Sequence, residues 1–311
     1  MTKAICSAVV FAYHDVGARC LRVLLAHGID VRLVVTHADD PRENIWFERV
    51  ADVAAKNALH AITPADPNTS EVIARVTACA PDFLFSFYYR SMLKPALLAL
   101  PRRGALNMHG SLLPKYRGRA PVNWAVLHGE RHTGATLHYM TDKPDAGDIV
   151  AQQGVPILPD ETAADVLRKV AVAAEIALDA ALPALIAGTA PRVAQDLTQG
   201  SYFGGRTPED GRIDWSRNAR QIHDLVRAVA PPYPGAMTMI GGVPARILAT
   251  RVIDDSASAP REPALDVGDG RITVRCGGGG ILAISTLEID GAPVDAANVL
   301  ARFERAIVPL G

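Results

Sequence analysis

Three side chains that could cooperate on an acyl group lie near the middle of the chain: Asn107, His109 and Asp145. Asn107 and His109 fall in ALNMH, whose alternation is strand-like, and residues two apart on a strand share a face. The strand breaks into a loop carrying Lys115, Arg117 and Arg119 among Pro114, Gly118 and Pro121, and a second loop with Pro144 and Gly147 delivers Asp145. Acyl transfer to an amine passes through a tetrahedral intermediate that bears an oxyanion. An amide N–H can hold that charge, a contact whose loss costs roughly 3 kcal/mol in sites of this kind. An imidazole can move the proton, typically a factor of about 10²–10⁴. A carboxylate can set the imidazole tautomer and favour its charged form. On spacing alone, the same residues also fit a satisfied loop pair, a turn-forming aspartate beside glycine and a solvated basic loop. His14, His27, His37, His60, His128, His132, His138 and His223 show no pairing in the sequence that points to a site.

The surrounding pattern supplies a scaffold. Apolar runs at residues 4–13, 31–36, 60–63, 82–88 and 105–109 read as strands. Helical spacing is expected between them at 18–27, 44–57, 70–79 (capped by Thr69 or Ser70) and 92–100. This alternation predicts a doubly wound, Rossmann-like parallel sheet, whose ligands bind beyond the carboxyl ends of the strands. A strand at 149–157 and a long helix at 162–186 follow. Glycine and turn residues at 199–211 mark a boundary, giving domains 1–200 and 201–311. Beyond it a helix at 219–229 and strands at 236–240, 245–252, 271–276 and 281–289 predict a small β-barrel, with Gly277–Gly280 as a hairpin loop.

At 311 residues the chain has room for two domains, and 32 basic against 33 acidic side chains give no electrostatic case for a nucleic-acid or anionic-membrane partner. Residues 201–311 hold 12 arginines, no lysine and 13 acidic residues, net 12 − 13 = −1, which weighs against a tRNA-binding surface. The four cysteines are scattered, so neither a zinc site nor a disulfide framework is expected. The first turn, AYHDVG, has one glycine where a dinucleotide site needs several, so NAD is not expected. MTKAICSAVVFAY reads as a buried first strand, not a signal peptide. The longest apolar segment, 163–187, is broken by Asp165, Arg168, Lys169, Glu175 and Asp179, so no membrane span is expected and the setting is cytoplasmic.

The ordered set N-x-H, S-L-L-P, Y-R-G, P, T-G-x-T-x-H and D-x-G-x-I resembles the folate-dependent formyltransferases, which act on methionyl-tRNA and on sugar nucleotides. VVFAYHDVG, THADDP, FSFYYR, YFGGRTPEDGRIDW and VRAVAPPYPGA extend the resemblance along essentially the whole chain. They are similar to the formyltransferase half of the bifunctional polymyxin-resistance enzymes, which work on UDP-4-amino-4-deoxy-L-arabinose. The resemblance implies N10-formyltetrahydrofolate as donor, no metal, and Asn107, His109 and Asp145 as the catalytic trio. It implies folate contacts at Ser91, Met92, Leu93, Arg119, Thr141, Asp142, Lys143, Pro144 and Asp145, and an OB-like second domain. The implied partners are folate and a nucleotide-sugar acceptor in lipid A modification. Methionyl-tRNA and other nucleotide-linked 4-amino sugars are the alternative acceptors. The bifunctional enzymes continue into a decarboxylase, so decarboxylation would fall to a separate chain, and no oligomeric state is implied.

Overall fold

Apolar runs with no polar interruption must be covered on both faces, and the strands at 7–12 and 83–87 are buried along their length. The computed structural model describes residues 6–41, 44–260 and 262–310; the first residues of the expected opening strand, with the rest of MTKAI, lie outside them. In chain order the elements of the first part are β1 (Ser7–Ala12), α1 (His14–Ala26), β2 (Asp30–Val35), α2 (Val50–Lys56), β3 (Ala61–Ile62), α3 (Ser70–Cys79), β4 (Phe83–Phe87), α4 (Pro95–Leu98), β5 (Gly104–His109), β6 (Arg117–Gly118), α5 (Pro121–Leu127), β7 (His132–Tyr139), β8 (Ile149–Pro156), α6 (Ala163–Ala187) and β9 (Tyr202–Phe203). They are followed by α7 (Ala219–Val229), β10 (Ala236–Ile240), β11 (Val243–Asp254), β12 (Ala264–Gly268), β13 (Arg271–Arg275), β14 (Ile281–Ile289), β15 (Ala292–Val294), α8 (Ala296–Phe303) and β16 (Ile307–Pro309). Contacts divide the chain into two compact units. One comprises the residues through Pro121, His132–Pro156 and Leu167–Gly204; the other comprises Val122–Arg131, Ile157–Val166 and the residues from Gly205.

The first unit is built on a sheet of order β3-β2-β1-β4-β5-β7-β8. Strands β1 to β5 run parallel, as the alternation predicts, whereas β7 and β8 are antiparallel to their neighbours. The antiparallel edge sets His138 opposite Asn107 and Thr136 opposite His109. Val9, Phe11, Leu84, Leu97 and Val76 form part of one core cluster of this unit. Helix α3 begins on Thr69, whose hydroxyl accepts the Val72 N–H.

Two expected helices are shorter than their patterns. Residues 44–49 stay outside α2 because the aromatic residues there pack locally: Phe47 lies 4.1 Å from the His14 ring and 5.1 Å from Tyr13. The Glu48 N–H also donates to Asp15 at 2.7 Å. Of residues 92–100 only one turn is helical, since Asn68 takes both the Met92 carbonyl and the Lys94 N–H before Pro95 starts the helix. By length and composition alone, helix α6 could cross a membrane. Half of that apolar window is buried inside the protein, and its polar side pairs Glu175 with Arg19 and Asp179 with His27 of α1. It is a core helix.

In the second unit the strands follow the order β10-β11-β14-β13-β12-β16, with β15 on β14. A single bridge from Ile240 to Leu310 joins the two ends, so the antiparallel sheet curls into the small barrel-like domain predicted. Strands β12, β15 and β16 and helix α8 were not anticipated. The glycine run at 277–280 is the expected β13–β14 connection. Ile213, Trp215, Ile247, Val274 and Leu282 are among its core, and the Trp215 indole donates to Thr238. Helix α7 starts with a capping box between Asn218 and Gln221. It buries the ion pair Arg227–Asp224 at 2.7 Å, both side chains 6 % exposed. Arg227 donates further to the carbonyls of Glu161 and Val126, so its charge is fully engaged. Removing one charge of such a pair strands the other. Asp224→Asn is therefore expected to destabilise this unit by about 3 kcal/mol, read as a lowered urea midpoint for the fluorescence transition of Trp215.

Candidate active site

At the carboxyl end of β5, Asn107 and His109 project from one face, and both reach a single carboxylate oxygen. Asp145 Oδ1 lies 3.4 Å from Asn107 Nδ2 and 3.5 Å from His109 Nδ1. The same oxygen is 3.5 Å from His138 Nε2. The other oxygen, Oδ2, accepts the Gly118 N–H at 2.9 Å. His138, which sequence reasoning left without a pairing, is thus a fourth member of the cluster. Its signal was the antiparallel register: as the last residue of T-G-x-T-x-H it sits opposite Asn107.

Hydrogen bonds fix the roles of the ring nitrogens. His138 Nδ1–H donates to the Tyr139 carbonyl at 2.8 Å, leaving Nε2 to accept from Asn107 Nδ2 at 3.2 Å. His109 Nε2–H donates to the Tyr116 carbonyl at 2.7 Å. A neutral His109 therefore presents its lone pair at Nδ1, on the side of Asp145, and protonation there would be met by the carboxylate. Burial lowers the His109 pKa from its usual 6.5, against the opposing pull of Asp145 and the Tyr116 carbonyl. Burial alone would raise Asp145, but the charge of a protonated His109 and the Gly118 N–H hold it well below the usual carboxylate range. Near neutral pH the pair is a neutral imidazole facing an ionised carboxylate.

Two glycines are required by close approach. A Cβ on Gly147 would lie 2.0 Å from the Tyr139 carbonyl oxygen, and one on Gly118, at φ +97°, would lie 2.1 Å from that of Phe203. Asp145 itself has φ 51°, a left-handed conformation that aspartate tolerates better than most residues. Gln195 holds its turn by donating to the carbonyls of Asp145 and Gly147. The 110–120 loop is tied down by the short parallel pair β6–β9, by Ser201 Oγ accepting the Tyr116 N–H, and by stacking of Tyr116 on Phe203. Thr136 Oγ1 donates to the Ser111 carbonyl and accepts from the Leu113 N–H and from Gln152, which fixes the S-L-L-P segment.

The residues expected to contact folate are differently disposed. Met92, Arg119, Thr141, Asp142 and Lys143 are exposed, Ser91 and Pro144 are half-buried, and Leu93 is buried in the core with Val72, Val76 and Leu97. Thr141 Oγ1 donates to the Lys143 carbonyl, shaping the loop before Asp145. Arg119 anchors its backbone on the Phe203 carbonyl and has no ion-pair partner among the described residues. Among those residues no three His, Cys, Asp or Glu side chains are arranged to hold a metal ion.

Residues 11–182 match the family described as formyl transferase, and residues 206–304 match its C-terminal domain. The chain belongs to the formyl transferase family. Solved structures share the fold. An N-formyltransferase from Helicobacter canadensis, in complex with folinic acid and dTDP-3-aminofucose, is 18% identical with a TM-score of 0.69, covering 89% of this chain and 98% of its own. WlaRD, a sugar 3N-formyl transferase determined with dTDP and 5-N-formyl-THF, is 17% identical at 0.69, covering 90% and 97%. A 4-N formyltransferase from Francisella tularensis is 19% identical at 0.61, covering 76% and 93%.

The Thr136 hydroxyl serves three partners at once, so its loss leaves the Ser111 carbonyl unsatisfied. Thr136→Val, equal in shape, is expected to cost about 1–3 kcal/mol, measured by chemical denaturation of the full chain.

Proposed function

We propose that this chain transfers a formyl group from N10-formyltetrahydrofolate to the 4-amino group of UDP-4-amino-4-deoxy-L-arabinose, in the cytoplasm, as a step of lipid A modification. In this reading residues 1–200 carry the catalysis and residues 201–311 the OB-like domain. The observation that carries the chemistry is the convergence of Asn107, His109 and His138 on one Asp145 oxygen in a formyl transferase fold. Supporting the donor and the substrate class, the Helicobacter enzyme was solved with folinic acid and a dTDP-amino sugar, and WlaRD with 5-N-formyl-THF and dTDP. The arabinose acceptor rests on the chain-long sequence resemblance and on the acidic second domain.

When bound, the folate supplies the activated formyl carbon. His109 Nδ1, neutral and unprotonated, takes the proton from the incoming amine, and Asp145 stabilises the resulting imidazolium at 3.5 Å. Returning that proton to the departing nitrogen restores the resting site. Asn107 donates an N–H to the developing oxyanion. Its two amide hydrogens meet His138 at 3.2 Å and Asp145 at 3.4 Å, and the longer, weaker contact is the one that yields. Exposed Arg119 suits an anionic carboxylate of the donor, and the segments 91–93 and 141–144 take the remaining folate contacts in this reading.

An end-point assay with N10-formyltetrahydrofolate and three acceptors (the UDP-aminoarabinose, a dTDP-4-amino sugar and methionyl-tRNA) tests the acceptor. The UDP sugar is expected to give the highest kcat/KM; a preference of about tenfold or more, one 1.4 kcal/mol step, for methionyl-tRNA would refute the assignment.

Removing groups that act in the transition state lowers kcat more than it raises KM. His109→Ala is expected to lose at least about 10² in kcat, with Asn107→Ala comparable. Asp145→Asn should also cripple kcat, and the His109/Asp145 double variant should be little worse than the poorer single one. Burial favours the neutral form of His109, so the base persists to lower pH. The acid limb of kcat/KM should therefore be centred below 6.5, with Asp145 ionised throughout. A limb centred above 7, or His109→Ala retaining more than about a tenth of kcat, removes His109 from the proton-transfer role.

A further inference from the structure

Behind the sheet, on the face opposite the catalytic cluster, lies a cavity of about 340 Å³ lined by Arg102, Arg103 and Arg192 with Phe83, Tyr139 and Gly188. The strand register separates the two places. Phe83 pairs with Gly104 and Tyr139 with Leu106, so these positions share one face, whereas Asn107 pairs with Ser86 and His138 on the other. The cavity also stands toward the amino end of β5, away from the end where the catalytic cluster sits.

Each guanidinium is held by a different device. Arg103 donates to the carbonyls of Leu185 and Ile186 in the last turn of α6 and to Cys6 Sγ, with its plane over Phe83 at 4.8 Å. Arg192 lies on the Tyr139 ring, 3.7 Å from its centroid. Arg102 pairs with Asp82 at 2.8 Å, and that carboxylate also accepts two hydrogen bonds from Ser7. Three cations thus face one carboxylate, a local charge of 3 − 1 = +2. Among the described residues, no carboxylate lies within ion-pair distance of Arg103 or Arg192. The carbonyls of the α6 terminus offset part of the Arg103 charge. Among the described residues Arg192 has the Tyr139 face as its support.

Fixed guanidinium forks that lack carboxylates are suited to bidentate binding of phosphate oxygens. We propose that this cavity is a second, anion-binding site that takes a phosphate or pyrophosphate group. It is independent of the acceptor assigned to the catalytic cluster, and two sources share its chemistry: the free anion and a nucleoside diphosphate.

Arginine labelling by phenylglyoxal on the full chain, read peptide by peptide by mass spectrometry, tests it. The arms are inorganic phosphate, pyrophosphate, uridine diphosphate and sodium chloride at matched ionic strength. Anion at several times its dissociation constant should slow labelling of Arg102 and Arg192 about fivefold by mass action, leaving exposed Arg305 unchanged. Protection by phosphate and pyrophosphate equal to that by uridine diphosphate identifies the free anion; stronger protection by uridine diphosphate identifies the nucleotide. Arg192→Ala, at an exposed position, should keep the fold and abolish protection of Arg102. Protection no greater than that given by chloride overturns the proposal, because simple screening explains it. So does full protection of Arg102 in Arg192→Ala, because the two would not form one site.

Discussion

Everything around the cluster of Asn107, His109, His138 and Asp145 depends on holding one ionised carboxylate among groups that each want part of it. Asp145 is largely withdrawn from water, a costly position for a charge unless it is hydrogen-bonded. Its second oxygen is committed to the Gly118 N–H, so only Oδ1 faces the two imidazoles and the amide. That division turns a symmetric anion into a directional one. It also explains why both flanking segments must approach backbone so closely that only glycine fits at 118 and 147.

His138 and His109 have opposite tautomers although they share the same carboxylate oxygen. Each is decided by a backbone carbonyl on the far side of its ring: Tyr139 for one, Tyr116 for the other. The carbonyls make His138 an acceptor that steadies Asn107 and leave His109 with a free lone pair. In the proposed reaction, two identical residue types would thereby divide positioning from proton transfer, with no change in side-chain chemistry.

Much of this was legible beforehand, because burial on two faces writes itself as uninterrupted apolar sequence in β1 and β4, and because the helices 70–79 and 219–229 carry side-chain caps. Strand β7 was not. HTGATLHY is polar at Thr133, Thr136 and His138, yet those residues are buried, and two of the three, Thr136 and His138, are satisfied by partners distant in sequence or supplied by the fold. A periodicity argument reads such residues as exposed. The same blindness hid His138 from the site, since its partner Asn107 is 31 residues away and becomes a neighbour only through an antiparallel register. Residues 44–49 failed in the opposite sense: an apolar pattern suited to a helix is taken up by aromatic packing around His14 and Tyr13.

The two-residue ladder between β6 and β9 joins positions 85 apart, Arg117 to Tyr202 and Gly118 to Phe203. Gly118 is the residue whose N–H orients Asp145. A nascent chain can therefore complete all seven strands of its first sheet and still lack the brace for its carboxylate until residue 203 has left the ribosome. Truncating the chain before Ser201 would remove that brace from the loop that orients Asp145.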